Sequence, residues 1–172
     1  LNILRIDFEE WFHPELIKPY LQNEKKEFKI INGLDKILNW LRQNETYATF
    51  FLVGEILQEY PEIQDKITDN GHEIAFHTMN HTMLHNMSKE DFDEELKIFN
   101  DITKGRSKGF RAPTFSLAKD TSWAIDCLIK YNYQYDSSIV PAKTSLYGEL
   151  NAEISPYRIS VNSINCDDSN AK

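Results

Sequence analysis

Short apolar runs of strand length alternate with runs whose apolar residues recur at helical spacing, and this alternation limits the possible folds more than any other feature. Ala48-Thr49-Phe50-Phe51-Leu52-Val53 is apolar at almost every position, which suits a strand covered on both faces, as in a parallel sheet flanked by helices. Before it, Asn2 to Phe8 reads as a strand, and Asn32-Gly33-Leu34 opens an amphipathic helix carrying Leu34, Ile37, Leu38 and Leu41. After it come a helix over Glu62 to Asp69, stopped by Asn70-Gly71, and a strand over His72 to Phe76. Ser88 reads as a helix cap, with Asp91 three residues on and a Phe92, Leu96, Phe99 stripe behind it. Short strands are expected near Lys108 to Arg111 and Gln134 to Ser137, on either side of a helix from about Asp120 to Lys130. The polar stretch from about Asn162 to Lys172 reads as a frayed or truncated end.

Repeated strand–helix units of this kind define an α/β protein with parallel strands. A chain of 172 residues holds one such domain, spanning 1–172, and the sequence shows no repeat, linker or low-complexity segment. An open doubly wound sheet and a closed barrel both satisfy the pattern. A barrel is the expectation, because the candidate chemical residues fall at or just beyond strand C-termini and no glycine-rich phosphate loop follows the first strand.

The net charge of -8 disfavours nucleic acid as a partner, since phosphate backbones are bound by clustered Lys and Arg, and points to a neutral or basic substrate. Cys127 and Cys166 lie far apart and form neither a zinc ribbon nor a redox pair. No apolar run approaches the roughly 20 residues of a membrane-spanning helix. No signal peptide opens the sequence, which starts at Leu1 rather than Met, so its localisation is not readable from a leader.

Four clusters carry chemistry. In His77-Thr78-Met79-Asn80-His81 two imidazoles four residues apart would face one side of a helical turn, where they could share a cation or simply sit at the surface. Their position directly after a buried strand favours the cation. Asp7 and Glu9 share a face at the end of the first strand, with Glu10 beside them, and carboxylates directed inward need a partner or a metal. Arg111, between Phe110 and the turn-forming Ala112-Pro113-Thr114-Phe115, is suited to be held rigidly and to keep a carboxylate ionised. Asp136, in Tyr135-Asp136-Ser137-Ser138, is the fourth candidate, though such an Asp is commonly a turn residue.

In this order, Ile6-Asp7-Phe8-Glu9-Glu10, His77-Thr78-Met79-Asn80-His81, Arg111-Ala112-Pro113 and Tyr135-Asp136 resemble the motifs of the NodB-type polysaccharide deacetylases, carbohydrate esterase family four. Ala48-Thr49-Phe50-Phe51 and Gly71-His72-Glu73-Ile74-Ala75 are also similar to the family, so the resemblance runs to about Ser138. The opening through His13 and the phrase Arg111 to Ser116 look most like its exopolysaccharide-associated branch.

The resemblance implies a distorted (β/α) barrel and metal-dependent hydrolysis of N-acetyl groups on an amino-sugar polysaccharide or oligosaccharide, in the cell envelope or outside the cell. It implies Zn2+ as cofactor, held by His77, His81 and an acid; Asp7 as general base; Arg111 orienting Asp7; a Thr114 backbone N–H for the oxyanion; and Asp136 as a further catalytic carboxylate. Trp11, Phe12, Pro113 and Phe115 are the expected substrate contacts.

Two departures from the family pattern matter. Adjacent aspartates are replaced by Asp7-Phe8-Glu9-Glu10, so the acidic ligand is Glu9, on the face of Asp7, or else Glu10. This leaves room for a metal-free site similar to that of allantoinase-like amidohydrolases. No histidine follows His85, so the family's final Leu-x-x-His, whose His protonates the leaving amine, is missing; this suggests a chain truncated before the last barrel strands. Losing that acid would cost about 10² to 10⁴ in rate, which also admits a carbohydrate-binding remnant as an alternative.

Overall fold

A computed structural model describes residues 3–21 and 25–171. Its elements follow the expected alternation: β1 (Leu4–Phe8), α1 (Ile31–Gln43), β2 (Ala48–Leu52), α2 (Gly54–Glu59), α3 (Glu62–Asp69), β3 (Glu73–Phe76), α4 (Lys89–Thr103), β4 (Gly109–Phe110), α5 (Trp123–Lys130) and β5 (Tyr135–Asp136). Of the first predicted strand, Asn2 lies outside the described residues. Helix α2 has no counterpart in the sequence pattern, because six residues are too few to display a helical apolar period. The Ser88 cap forms as a full capping box with Asp91.

All strand pairs are parallel and the sheet runs in chain order, β1-β2-β3-β4-β5. Strand alternation then sorts the side chains. Phe8, Leu52, Phe76 and Phe110 share one register row and face the helices. There they meet Leu34, Leu38 and Leu41 of α1, Ile63 and Ile67 of α3, and Phe92, Leu96 and Phe99 of α4. The rings of Phe76 and Phe99 lie 4.4 Å apart. Each fully buried Phe contributes about 1.5–3 kcal/mol of hydrophobic stabilisation. The other sheet face carries Arg5, Asp7, Thr49, Phe51, Glu73 and Ala75, a far more polar set.

The expected closed barrel is not what the described residues form. Strands β1 and β5 are the two edges of an open sheet, each paired on one side only. The physical reason is circumference: a comparable barrel needs about eight strands, and this sheet has five. The expected frayed end is also corrected. The segment 137–171 lacks helices and strands, but Arg158 pairs with Asp167 at 2.8 Å, Tyr157 Oη donates to the Ile164 carbonyl at 2.7 Å, and Ile164 is buried. Lys172 lies outside the described residues. Among the described residues no helix is long and apolar enough to cross a membrane.

Candidate metal centre

The ends of β1, β3 and β4 bring the site together. Past Asp7, the alternation of β1 turns Phe8 into the core and returns Glu9 to the polar face. Glu10 is buried and faces elsewhere: its carboxylate accepts the Ile30 N–H at 2.7 Å, just ahead of α1. Its carboxylate is therefore spoken for by α1, and Glu9 is the acid that reaches the histidines.

His77 extends the ladder beyond β3, its N–H donating to the Leu52 carbonyl at 3.0 Å. The segment that follows is not the helical turn expected from the His-x-x-x-His spacing. Thr78 and His81 take left-handed backbone angles, φ 59° and 51°, and fold the loop back on itself. Four bonds hold it there. The N–H groups of Gly54 and Glu55, opening α2, donate to the carbonyls of Thr78 (2.9 Å) and Met79 (2.8 Å). Glu95 of α4 accepts the Met79 N–H at 2.8 Å, and Lys18 Nζ donates to the His81 carbonyl at 3.0 Å. Burial raises the Glu95 carboxyl above its ordinary pKa, with the Met79 bond opposing.

The imidazoles of His77 and His81 converge with ring centroids 4.9 Å apart. His77 Nδ1 lies 2.6 Å from the Arg111 carbonyl, which can only accept, so Nδ1 carries the proton and Nε2 is left bare. Burial, reinforced by the neighbouring His81, pulls the His77 pKa down to about 3, so the ring is neutral at physiological pH. His81 Nε2 lies 2.8 Å from Glu9 Oε2, yet neither Glu9 Oε2 nor His81 Nδ1 has a hydrogen-bond partner among the described residues.

Donor atoms of Glu9, His77 and His81 all lie within 4.8 Å of one another. Two imidazole nitrogens and one carboxylate form a donor set suited to zinc, whose bonds of about 2 Å bring ligand atoms to roughly 3–3.5 Å separation. A buried carboxylate oxygen and a bare ring nitrogen, both unpartnered, are costly without a cation and satisfied with one. The residues fit a divalent metal.

Asp7 accepts a hydrogen bond from Arg111 Nη1. The guanidinium is itself fixed, with Nε on the Ser137 carbonyl (3.2 Å), Nη2 on Ser137 Oγ (2.9 Å), and Cζ 4.2 Å from the Phe51 ring centroid. Asp136 accepts from the Ser138 N–H and hydroxyl, while Ser138 Oγ accepts the Ala112 N–H at 2.7 Å. Burial lifts the Asp136 pKa to about 6, opposed by its Ser138 bonds.

Thr114 and Phe115 both have positive φ, 53° and 51°, turning the chain after Arg111-Ala112-Pro113. Phe12 and Pro113 are buried, Phe12 edge-on against Trp11 and Phe28. Trp11 is 37% exposed and Phe115 half-buried. His72 supports the start of β2 by accepting the Ala48 N–H at 3.4 Å, and His85 pairs at the surface with Asp120. Glu55, Glu95, Ser137 and Ser138 hold the site together but carry no local sequence signal, since their roles rest on partners far along the chain.

The polysaccharide deacetylase family matches residues 32–135, more than half of the chain. The chain belongs to the polysaccharide deacetylase family. A peptidoglycan-N-acetylglucosamine deacetylase of Bacillus cereus is 39% identical over 71 residues, covering 41% of this chain and 30% of that protein. A chitooligosaccharide deacetylase of Azorhizobium caulinodans is 33% identical over 78 residues, covering 42% of this chain and 37% of that protein. A candidate polysaccharide deacetylase solved from Mycobacterium smegmatis superposes with TM-score 0.65 over 92% of this chain and 54% of its own, at 18% identity, a likeness of fold. The chain thus spans about a third of the curated deacetylases' length. The span matched by the family includes His77, His81 and Arg111 but neither Asp7 nor Glu9, so the acidic side of the site rests on geometry.

Proposed function

We propose that this chain carries the catalytic face of a divalent-cation-dependent deacetylase that hydrolyses N-acetyl groups on an amino-sugar polymer. One observation carries the reading: Glu9, His77 and His81 converge from two strand ends with unpartnered donor atoms, while Asp7, from the same strand end as Glu9, is held by Arg111. When bound there, the cation, zinc by its donor set, polarises the acetamide carbonyl and acidifies water. Asp7 takes the proton of the attacking water, and Arg111 holds Asp7 aimed. The backbone N–H of Thr114 holds the developing oxyanion, with Trp11 and Phe115 lining the sugar path.

The net charge of -8 suits a neutral or basic glycan better than an acidic one. The sequential sheet is read as an arc of a distorted barrel. No residue of this chain is assigned to protonate the leaving amine.

The test is acetate release from chitooligosaccharides and peptidoglycan. Activity should vanish with a chelator, return with zinc, vanish in His77→Ala, and fall by about 10² to 10⁴ in Asp7→Asn. Acetate release indifferent to both chelator and His77→Ala would overturn the proposal.

A further inference from the structure

His13 is 2% exposed, and both of its ring nitrogens are engaged. Nδ1 accepts the Glu10 N–H at 2.9 Å, so in the neutral ring the proton sits on Nε2, which donates to the Glu55 carboxylate. The backbone closes the same turn, His13 N–H donating to the Glu10 carbonyl at 3.0 Å. A proton on Nδ1 would break the Glu10 bond, so this ring is built to hold geometry rather than to transfer protons. It also lies parallel to His81, 7° between planes and 6.2 Å between centroids.

Glu55 is the other half of the device. Its side chain takes His13, which pins the backbone next to Glu9, while its own N–H takes the Met79 carbonyl inside the His77–His81 loop. One residue therefore adds a tie between the two segments that carry the candidate ligands, which are far apart in sequence.

We propose that His13 and Glu55 are positioning residues that hold Glu9 and His81 at the spacing a divalent cation requires. This rests on the reading of Glu9, His77 and His81 as its ligands. The outer partners of metal ligands typically change affinity by about 10- to 100-fold when removed, and the same scale applies here.

The experiment is zinc affinity by competition with a chromophoric chelator, on protein shown to be folded by near-UV circular dichroism. His13→Ala and Glu55→Ala should each weaken zinc about 10- to 100-fold. His13→Asn, whose Oδ1 stands where Nδ1 stood and can accept the Glu10 N–H but whose amide stops short of Glu55, should bind about as Glu55→Ala does. Glu55→Gln, which still accepts from Nε2, should bind nearly as the native protein does. The double variant His13→Ala/Glu55→Ala should bind no worse than His13→Ala, because Glu55 acts through the ring. If His13→Ala does not fold, the contrast between Glu55→Ala and Glu55→Gln decides, since Glu55 is part-exposed. Zinc affinity within about twofold of native in folded Glu55→Ala, or losses that add in full, would overturn the positioning role alone. Native affinity unchanged by His77→Ala would instead overturn the cation site, and this inference with it.

Discussion

At the scale of single residues, the site depends on charge states that burial sets. His77 is kept neutral, its pKa at about 3, by a dry environment and an adjacent imidazole, and its Nδ1 is occupied by a carbonyl, so Nε2 is free for a cation. Asp136 shows the opposite effect, its pKa raised to about 6 by burial. Because the folded state binds this proton more tightly than the unfolded chain, Asp136 lowers stability as pH rises from about 4 through 6, and the effect is absent below that window. With the carboxyl ionised at pH 7, holding it in this dry setting costs the fold about 3 kcal/mol. Asp136→Asn should therefore gain stability relative to the native protein between about pH 4 and pH 7. Urea midpoints at both pH values check this, and a constant difference between the two proteins would show that Asp136 does not titrate as described.

At the scale of elements, the short helix α2 matters more than its length suggests, because its first two N–H groups grip the His77–His81 loop. Gly54 is required by close approach: a Cβ there would lie 2.1 Å from Met79 Sδ and 3.2 Å from Met79 Cα. Met79 is itself buried, so its side chain cannot swing into solvent. Gly54→Ala gains little helix propensity at a first helical position, whereas overpacking costs about 1–3 kcal/mol. The variant should show a lower urea midpoint and weaker zinc binding, and an unchanged midpoint would contradict the packing account.

At the scale of the whole molecule, a cation that binds only the folded chain stabilises it by mass action, about 2.7 kcal/mol when free metal is about 100 times its Kd. For a protein of this size that corresponds to a rise in Tm of about 5–10 °C, which calorimetry with and without zinc would register and which His77→Ala should abolish. Equal shifts in both proteins would place the zinc elsewhere. The strand–helix alternation, the core stripe of α4 with its Ser88 cap and the pairing of Asp7 with Glu9 on one face are all readable locally, because apolar period and capping act within a few residues. The His77/His81 pair is readable as a pair, but not its loop conformation, since the left-handed angles at Thr78 and His81 are imposed by bonds to α2 and α4. Choosing Glu9 over Glu10 requires the position of Ile30, and the His13–Glu55 tie spans 42 residues. The sequence by itself determined which side chains are the candidates for chemistry and which segments bury apolar surface. Only the tertiary structure decided which acid meets the imidazoles and what holds them there, because hydrogen bonds between distant segments exist only once the sheet has brought those segments together.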